Sequence, residues 1–243
     1  MNSKVSIITV VYNAKDMIIS TIESVVNQTY NNIEFIIIDG ASTDGTIDLI
    51  KQYSDKISFF ISENDAGIYD AMNKGIKNAT GEWITFLNAG DVYINDQVIS
   101  NIFDNQIYND EDLIYGAIAL DCPSGMIVYP KEFTLLNLLF WGTGTLCHQS
   151  MFVRQKSIVN YSEDYKLKGE LNWYFDILPR IRKYYIIETA TVVYNTQGTG
   201  TQHFYLNHIE NLKVVFRQKY ILGIVSLPFL TYSLIKSIIN SRS

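Results

Sequence analysis

Three stretches place chemically capable side chains where apolar runs stop. Tyr12-Asn13 follow VSIITVV (5–11), Asp39-Gly40-Ala41-Ser42 follow IEFIII (33–38), and Asn88-Ala89-Gly90-Asp91 follow EWITFL (82–87). An aromatic ring, an acid with hydroxyls near it and a second acid suit a nucleotide. The ring can pack on a base, Asp39 can accept from a base N–H or a ribose hydroxyl, and Asp91 can hold a divalent cation on a diphosphate. Each residue alone has a plainer reading: Asp39 as a helix cap, Tyr12 as ordinary packing, Asp91 as the cap of a tight turn. The coincidence of three strand ends favours a ligand.

The elements behind these ends alternate. Residues 5–11 form a continuous β-branched run, the mark of a strand buried on both faces. AKDMIISTIESVVNQ (14–28) spaces Met17, Ile18, Ile22, Val25 and Val26 as a helix does. A strand at 33–38 precedes a helix opening at Ser42, Thr43 and Asp44, all good N-cap residues. ISFFIS (57–62) is a third strand. Ile68, Ala71, Met72, Gly75, Ile76 and Ala79 define an amphipathic helix ending near Gly81, and 82–87 is the fourth strand. β-α-β-α-β-α-β predicts a mostly parallel α/β sheet flanked by helices, with ligands outside its carboxyl edge.

Beyond residue 104 the pattern is less regular. LIYGAIAL (113–120), MIVYP (126–130) and YYIIETATVVYN (184–195) read as strands. TLLNLLFW (134–141), ELNWYFDILPRIRK (170–183) and FYLNHIENLKVVFRQKYI (204–221) read as helices. No repeat, low-complexity tract or linker marks a second independent domain.

Of 243 residues, 47% are hydrophobic and 18% charged, which argues against long disordered segments. The net charge of −6 is uneven: residues 1–120 carry 6 Lys/Arg against 17 Asp/Glu, and residues 121–243 carry 13 against 8. The basic half suits a phosphate-bearing ligand or an anionic membrane surface, with solvated surface charge as the plainer alternative. Nucleic acid fits poorly with an acidic whole. Cys122 and Cys147 show no metal spacing and are expected to be free thiols. Met1–Lys4 run directly into a strand, so no signal peptide is expected. ILGIVSLPFLTYSLI (221–235) is uncharged but shorter than the roughly 20 residues of a membrane span. Pro228 interrupts it and Lys236 follows it, so lying on a membrane or packing on the domain are both open. No GxGxxG follows a strand, and GxxxxGK[ST], GxSxG and HExxH are absent.

VSIITVVYNA, FIIIDGASTDGT and GIYDAMNKGIKNATGEWITFLNAGD resemble, in order over about the first 100 residues, the nucleotide-sugar-binding half of GT-A family 2 glycosyltransferases. The resemblance implies a GT-A (Rossmann-like) domain over 1–220. Its donor half is 1–104, its acceptor half is 105–220, and an apolar, membrane-associating tail follows at 221–243. It implies an inverting transfer from a UDP-sugar, with Tyr12, Asn13, Asp39 and Ser42 at the nucleoside and Asn88 and Asp91 at a divalent cation, Mn²⁺ or Mg²⁺. The family commonly shows Asp-x-Asp-Asp where this chain has Asn-Ala-Gly-Asp. An Asn-x-Gly-Asp form resembles a subset of bacterial polysaccharide transferases.

Transfer needs a base for the acceptor hydroxyl, and in the family this is an acid opening a helix in the second half. LKGELNWYFDIL (167–178) resembles that element, so Glu170 is the expected base, with Asp176 and then Asp164 in reserve. TGTLCHQSMFV (143–153) resembles the acceptor-side segment, which places His148 and Gln149 at the acceptor or pyrophosphate. NTQGTGTQHF (195–204) resembles a loop closing over the donor and carries His203. Cationic residues before the tail resemble an interfacial anchor. The implied acceptor is then a lipid-linked saccharide such as GlcNAc-diphospho-undecaprenol, with UDP-galactose as donor. The setting is O-antigen or capsule synthesis on the cytoplasmic face of a bacterial inner membrane. Two alternatives remain. One is a non-catalytic sugar-nucleotide-binding subunit whose metal site has degenerated at Gly90. The other is a nucleotidylyltransferase, which VVYNAKD disfavours because it offers one Lys and no glycine for a phosphate loop.

Overall fold

The structure is a computed structural model and describes residues 2–104, 108–122, 124–196 and 204–217. His203, most of the 195–204 loop and the 221–243 tail lie outside the described residues.

Strands β1 (Val5–Val11), β2 (Ile33–Asp39), β3 (Phe59–Ser62) and β4 (Trp83–Phe86) alternate with helices α1 (Ile18–Val26), α2 (Thr46–Lys51) and α3 (Ile68–Asn78). These four strands are parallel, in the order β3-β2-β1-β4. Their apolar runs divide by parity, as a pleat requires. Ile8, Val10, Ile36 and Ile38 join one core cluster with Met72 of α3, whereas Ile7, Val11, Phe35 and Ile37 join another with Ile18 and Ile22 of α1. A strand buried on both faces is the physical meaning of an unbroken β-branched run.

Three elements carried no sequence signal: β5 (Val92–Tyr93), α4 (Val98–Phe103) and β8 (Met151–Arg154). The remainder comprises β6 (Leu113–Leu120), β7 (Ile127–Val128), α5 (Leu135–Trp141), α6 (Gly169–Ile177), β9 (Tyr184–Tyr194) and α7 (Phe204–Arg217). The sheet continues β4-β8-β6-β9-β5, with β7 on β6. It is parallel in its first half and mixed beyond. β8 runs antiparallel to both β4 and β6, so the second half docks without a crossover helix.

Helix ends move for local reasons. α1 begins at Ile18; in the segment before it Ala14 N–H donates to Thr46 Oγ1 and Lys15 N–H to Asp44 Oδ2. α2 begins at Thr46 because Gly45 before it has φ of 102°, a left-handed conformation that a right-handed helix does not contain. α6 ends at Ile177 and continues only as a 3₁₀ turn over Leu178–Arg180, where Pro179 lacks the N–H a helix needs.

Candidate active site

The carboxyl ends of β1 to β4 share one edge, and a cavity of about 940 Å³ opens there. Tyr12, Asp65, Asn88, Asp91, Lys166 and Glu170 line it. Tyr12 is 65% exposed, so its ring is free to meet a ligand rather than committed to the core. A smaller cavity of about 220 Å³, walled by β6, β7 and the turn after α5, shares His148, Gln149, Glu170 and Tyr194 with the first.

At the end of β2, Asp39 is 0% exposed. Its Oδ2 accepts from Ser42 N–H at 2.9 Å and Ser62 Oγ at 2.7 Å, and its Oδ1 from Ser42 Oγ at 2.5 Å. Ser42 Oγ in turn accepts from Asn13 N–H at 2.8 Å, and Asn13 Oδ1 accepts from Thr43 N–H at 2.8 Å. Asn13 has φ of 46°, a left-handed conformation that asparagine tolerates. Asp39, Ser42 and Asn13 thus form a bonded scaffold tying two strand ends together, and none of them lines the cavity.

At the end of β4, Asp91 is 3% exposed. Gln149 Nε2 donates to its Oδ2 at 3.0 Å and Asn195 N–H to its Oδ1 at 2.8 Å. Burial pushes its carboxyl up to about 6, against the opposing pull of the Asn195 N–H, His148 and Gln149. Gly90 has φ of 101°, and a Cβ there would lie 2.7 Å from Asn195 Nδ2. Its missing side chain therefore makes room for Asn195 as well as for a left-handed turn.

Among the described residues no group of three His, Cys, Asp or Glu forms a metal cluster. Asn88 Oδ1 is nonetheless buried without a partner, on the wall that Asp91 shares. A carbonyl and a carboxylate fit a hard divalent cation whose other ligands are diphosphate oxygens and water.

Glu170 stands in the first turn of α6, its side chain 27% exposed and facing both cavities. His148 Nδ1 is 3.2 Å from Glu170 Oε2, and Asn88 Nδ2 is 3.3 Å from His148 Nε2. The neutral imidazole protonated on Nδ1 satisfies both contacts at once. Burial alone would raise the Glu170 carboxyl. The hydrogen bond from His148, with the Lys168 charge nearby, outweighs burial and holds it below the usual range. Asp176 instead accepts from Asn172 Nδ2 at 2.5 Å, and Asp164 from Ser162 Oγ at 3.1 Å; neither lines a cavity.

Sequence reasoning missed Glu210. This buried residue of α7 accepts from the N–H groups of Lys166, Leu167 and Lys168 at 2.8–3.0 Å. It fixes the segment that leads into Glu170. Lys166 and Asp65 were missed as well. Lys166 is the only Lys or Arg among the described residues that line the larger cavity.

A family model described as glycosyl transferase family 2 matches residues 6–161. An uncharacterized glycosyltransferase of Rickettsia typhi is 30% identical over 227 residues, covering 87% of this chain and 70% of that protein. WfaP of Escherichia coli, a UDP-Glc:alpha-D-GlcNAc-diphosphoundecaprenol beta-1,3-glucosyltransferase, is 41% identical over 99 residues, 40% of this chain and 39% of that protein. Among solved structures, S. aureus TarS 1–349 in complex with UDP-GlcNAc superposes with a TM-score of 0.72 at 18% identity, covering 87% of this chain. This chain spans 64% of that one. The mannosyltransferase PcManGT from Pyrobaculum calidifontis, in complex with GDP-Man and Mn²⁺, gives 0.66 at 14% identity, covering 98% of this chain and 76% of that one. At such identities the likeness is one of fold, and the fold is GT-A.

Proposed function

The chain belongs to glycosyl transferase family 2, and on that premise we propose that it is an inverting hexosyltransferase. It moves a hexose from a UDP-sugar, UDP-galactose, to a lipid-diphosphate-linked sugar, GlcNAc-diphospho-undecaprenol. The product enters cell-surface polysaccharide, O-antigen or capsule, at the cytoplasmic face of the bacterial inner membrane.

The observation that carries this reading is Glu170, ionised by its His148 contact and facing both cavities. The larger cavity takes the UDP-sugar, with Tyr12 packing on the base and the Asp39, Ser42 and Asn13 scaffold holding the nucleoside end in shape. The smaller takes the acceptor, between His148, Gln149 and Tyr174. Glu170 accepts the proton of the acceptor hydroxyl as its oxygen bonds to C1 from the face opposite the diphosphate. The bond from C1 to the phosphate oxygen breaks, UDP leaves with the electron pair, and the anomeric centre inverts. Asn88 and Asp91 would hold a divalent cation, Mn²⁺, which supplies positive charge to the leaving diphosphate. Lys166 adds a cation from the cavity wall.

The UDP-GlcNAc complex of TarS supports a UDP-sugar donor, the Mn²⁺ in PcManGT a divalent cation, and the specificity of WfaP a diphosphoundecaprenol acceptor. Exposed Met126, Tyr129, Leu136 and Trp141, on or beside the elements walling the smaller cavity, suit a lipid-linked substrate. No helix among the described residues is long and apolar enough to cross a membrane. The reading is tested by transfer of radiolabelled hexose from a panel of UDP-sugars to GlcNAc-diphospho-undecaprenol. Label in the lipid fraction is expected, and the absence of transfer from every UDP-sugar overturns it.

A further inference from the structure

The nucleoside end of the larger cavity carries a carboxylate other than the one ending β2. Asp39 is buried, and both its oxygens already accept from Ser42 and Ser62. The next residue is Gly40, which does line the cavity. A Cβ there would sit 2.5 Å from Asp65 Oδ2 and 3.3 Å from the Tyr12 ring. Asp65, from the loop after β3, therefore puts an oxygen into the volume that a side chain at position 40 would occupy, beside the exposed tyrosine.

We propose that Asp65 reads the nucleobase, accepting the N3–H of a uracil packed on Tyr12; this assignment rests on the UDP-sugar reading above. Asp65 Oδ1 accepts from Gly67 N–H at 3.0 Å, which fixes the side chain, while Oδ2 accepts from no described residue. Burial pushes this carboxyl upward, with Asp70 and Asp39 adding repulsion against Gly67 and Lys74, so an arriving N–H donor meets an under-satisfied acceptor. Strand order supplies the spacing. Gly40 follows β2 and Asn88 follows β4, with β1 and Tyr12 between them. Strand spacing sets these outer ends about 10 Å apart, a span suited to a base at one side and a diphosphate at the other. The chemistry is selective. Uracil N3 is a donor, whereas cytosine N3 is an acceptor and would face the carboxylate lone pair to lone pair.

Calorimetric titration with UDP and with CDP tests the assignment. Wild type is expected to prefer UDP. Asp65→Ala should weaken UDP roughly tenfold to hundredfold, the worth of a hydrogen bond to a charged group, with little change in CDP. The paired exchange Asp65→Gly with Gly40→Asp should recover the UDP preference, because it returns a carboxylate to the same side of the cavity, beside Tyr12. Wild-type UDP affinity in Asp65→Ala, or equal loss of UDP and CDP, overturns the assignment alone. A wild-type protein that does not bind UDP overturns both this assignment and the UDP-sugar reading.

Discussion

His148 Nδ1 lies 3.2 Å from Glu170 Oε2, and this contact sets the protonation of the proposed base. Burial pushes the carboxyl up, and the imidazole leads the interactions that pull it below its usual range. His148→Ala removes that pull and leaves burial to dominate, so the carboxyl shifts upward. Because the base works ionised, the acid limb of the pH–kcat profile should move to higher pH in the variant. An acid limb unchanged in position would remove His148 from this role.

Asn88 Oδ1 is buried without a partner beside Asp91, and the two are proposed to hold a cation at the end of β4. Asp91→Ala should cost roughly hundredfold in kcat, the scale of losing one charge-stabilising group at a leaving oxygen. It should also abolish any Mn²⁺ stimulation. Titrating UDP into the variant with and without Mn²⁺ separates the two effects. A metal response equal to wild type would place the cation elsewhere.

Glu210 holds three successive N–H groups just before Glu170. Glu210→Gln weakens these charge-assisted bonds and should lower stability by about 2 kcal/mol. It should lower kcat while leaving the affinity for UDP intact, because the loosened segment leads into the base rather than the nucleoside end. Parallel thermal melts and UDP titrations check this, and a melt unchanged from wild type would contradict the clamp.

The β-α-β-α-β-α-β half was legible because its strands are unbroken apolar runs and α3 has a clean helical spacing. β5, with two residues, and β8, with four, are too short for any periodicity to show. Chain position places Asp39 at its strand end, but it does not say which way the side chain faces; the hydroxyls of Ser42 and Ser62 turn it inward. Strand β3 also ends in a polar stretch, Glu63-Asn64-Asp65. Its meaning depends on Gly40, 25 residues earlier, leaving a gap beside it. Glu210 lies 40 residues beyond Glu170, and only the packing of α7 on the 166–168 segment connects them.

Glu34 gives a prediction about acid stability at the opposite end of the sheet. Burial opposes its ionisation, but Lys4, Ser6 and Thr80 outweigh it and hold the carboxyl down at about 2, against an ordinary 4.5. Lys4 Nζ and Thr80 N–H each donate at 2.7 Å, and Ser6 Oγ at 2.6 Å. A lowered folded value means the contribution is fully present above the unfolded value and is lost as pH falls through the folded one. Glu34→Gln should therefore melt lower at neutral pH, by about 2 kcal/mol. Its melting temperature should fall less steeply than wild type between pH 4.5 and pH 2. Parallel slopes in that window would contradict the network.

Glycosyl transfer through Glu170 is tested most directly by single-turnover transfer with saturating UDP-sugar and lipid-linked acceptor, comparing wild type with Glu170→Gln. The amide keeps the shape and removes the proton acceptor. The rate should fall by roughly a hundredfold to ten-thousandfold, with UDP affinity within a factor of about two of wild type. A Glu170→Gln enzyme that transfers sugar at the wild-type rate would contradict Glu170 as the base.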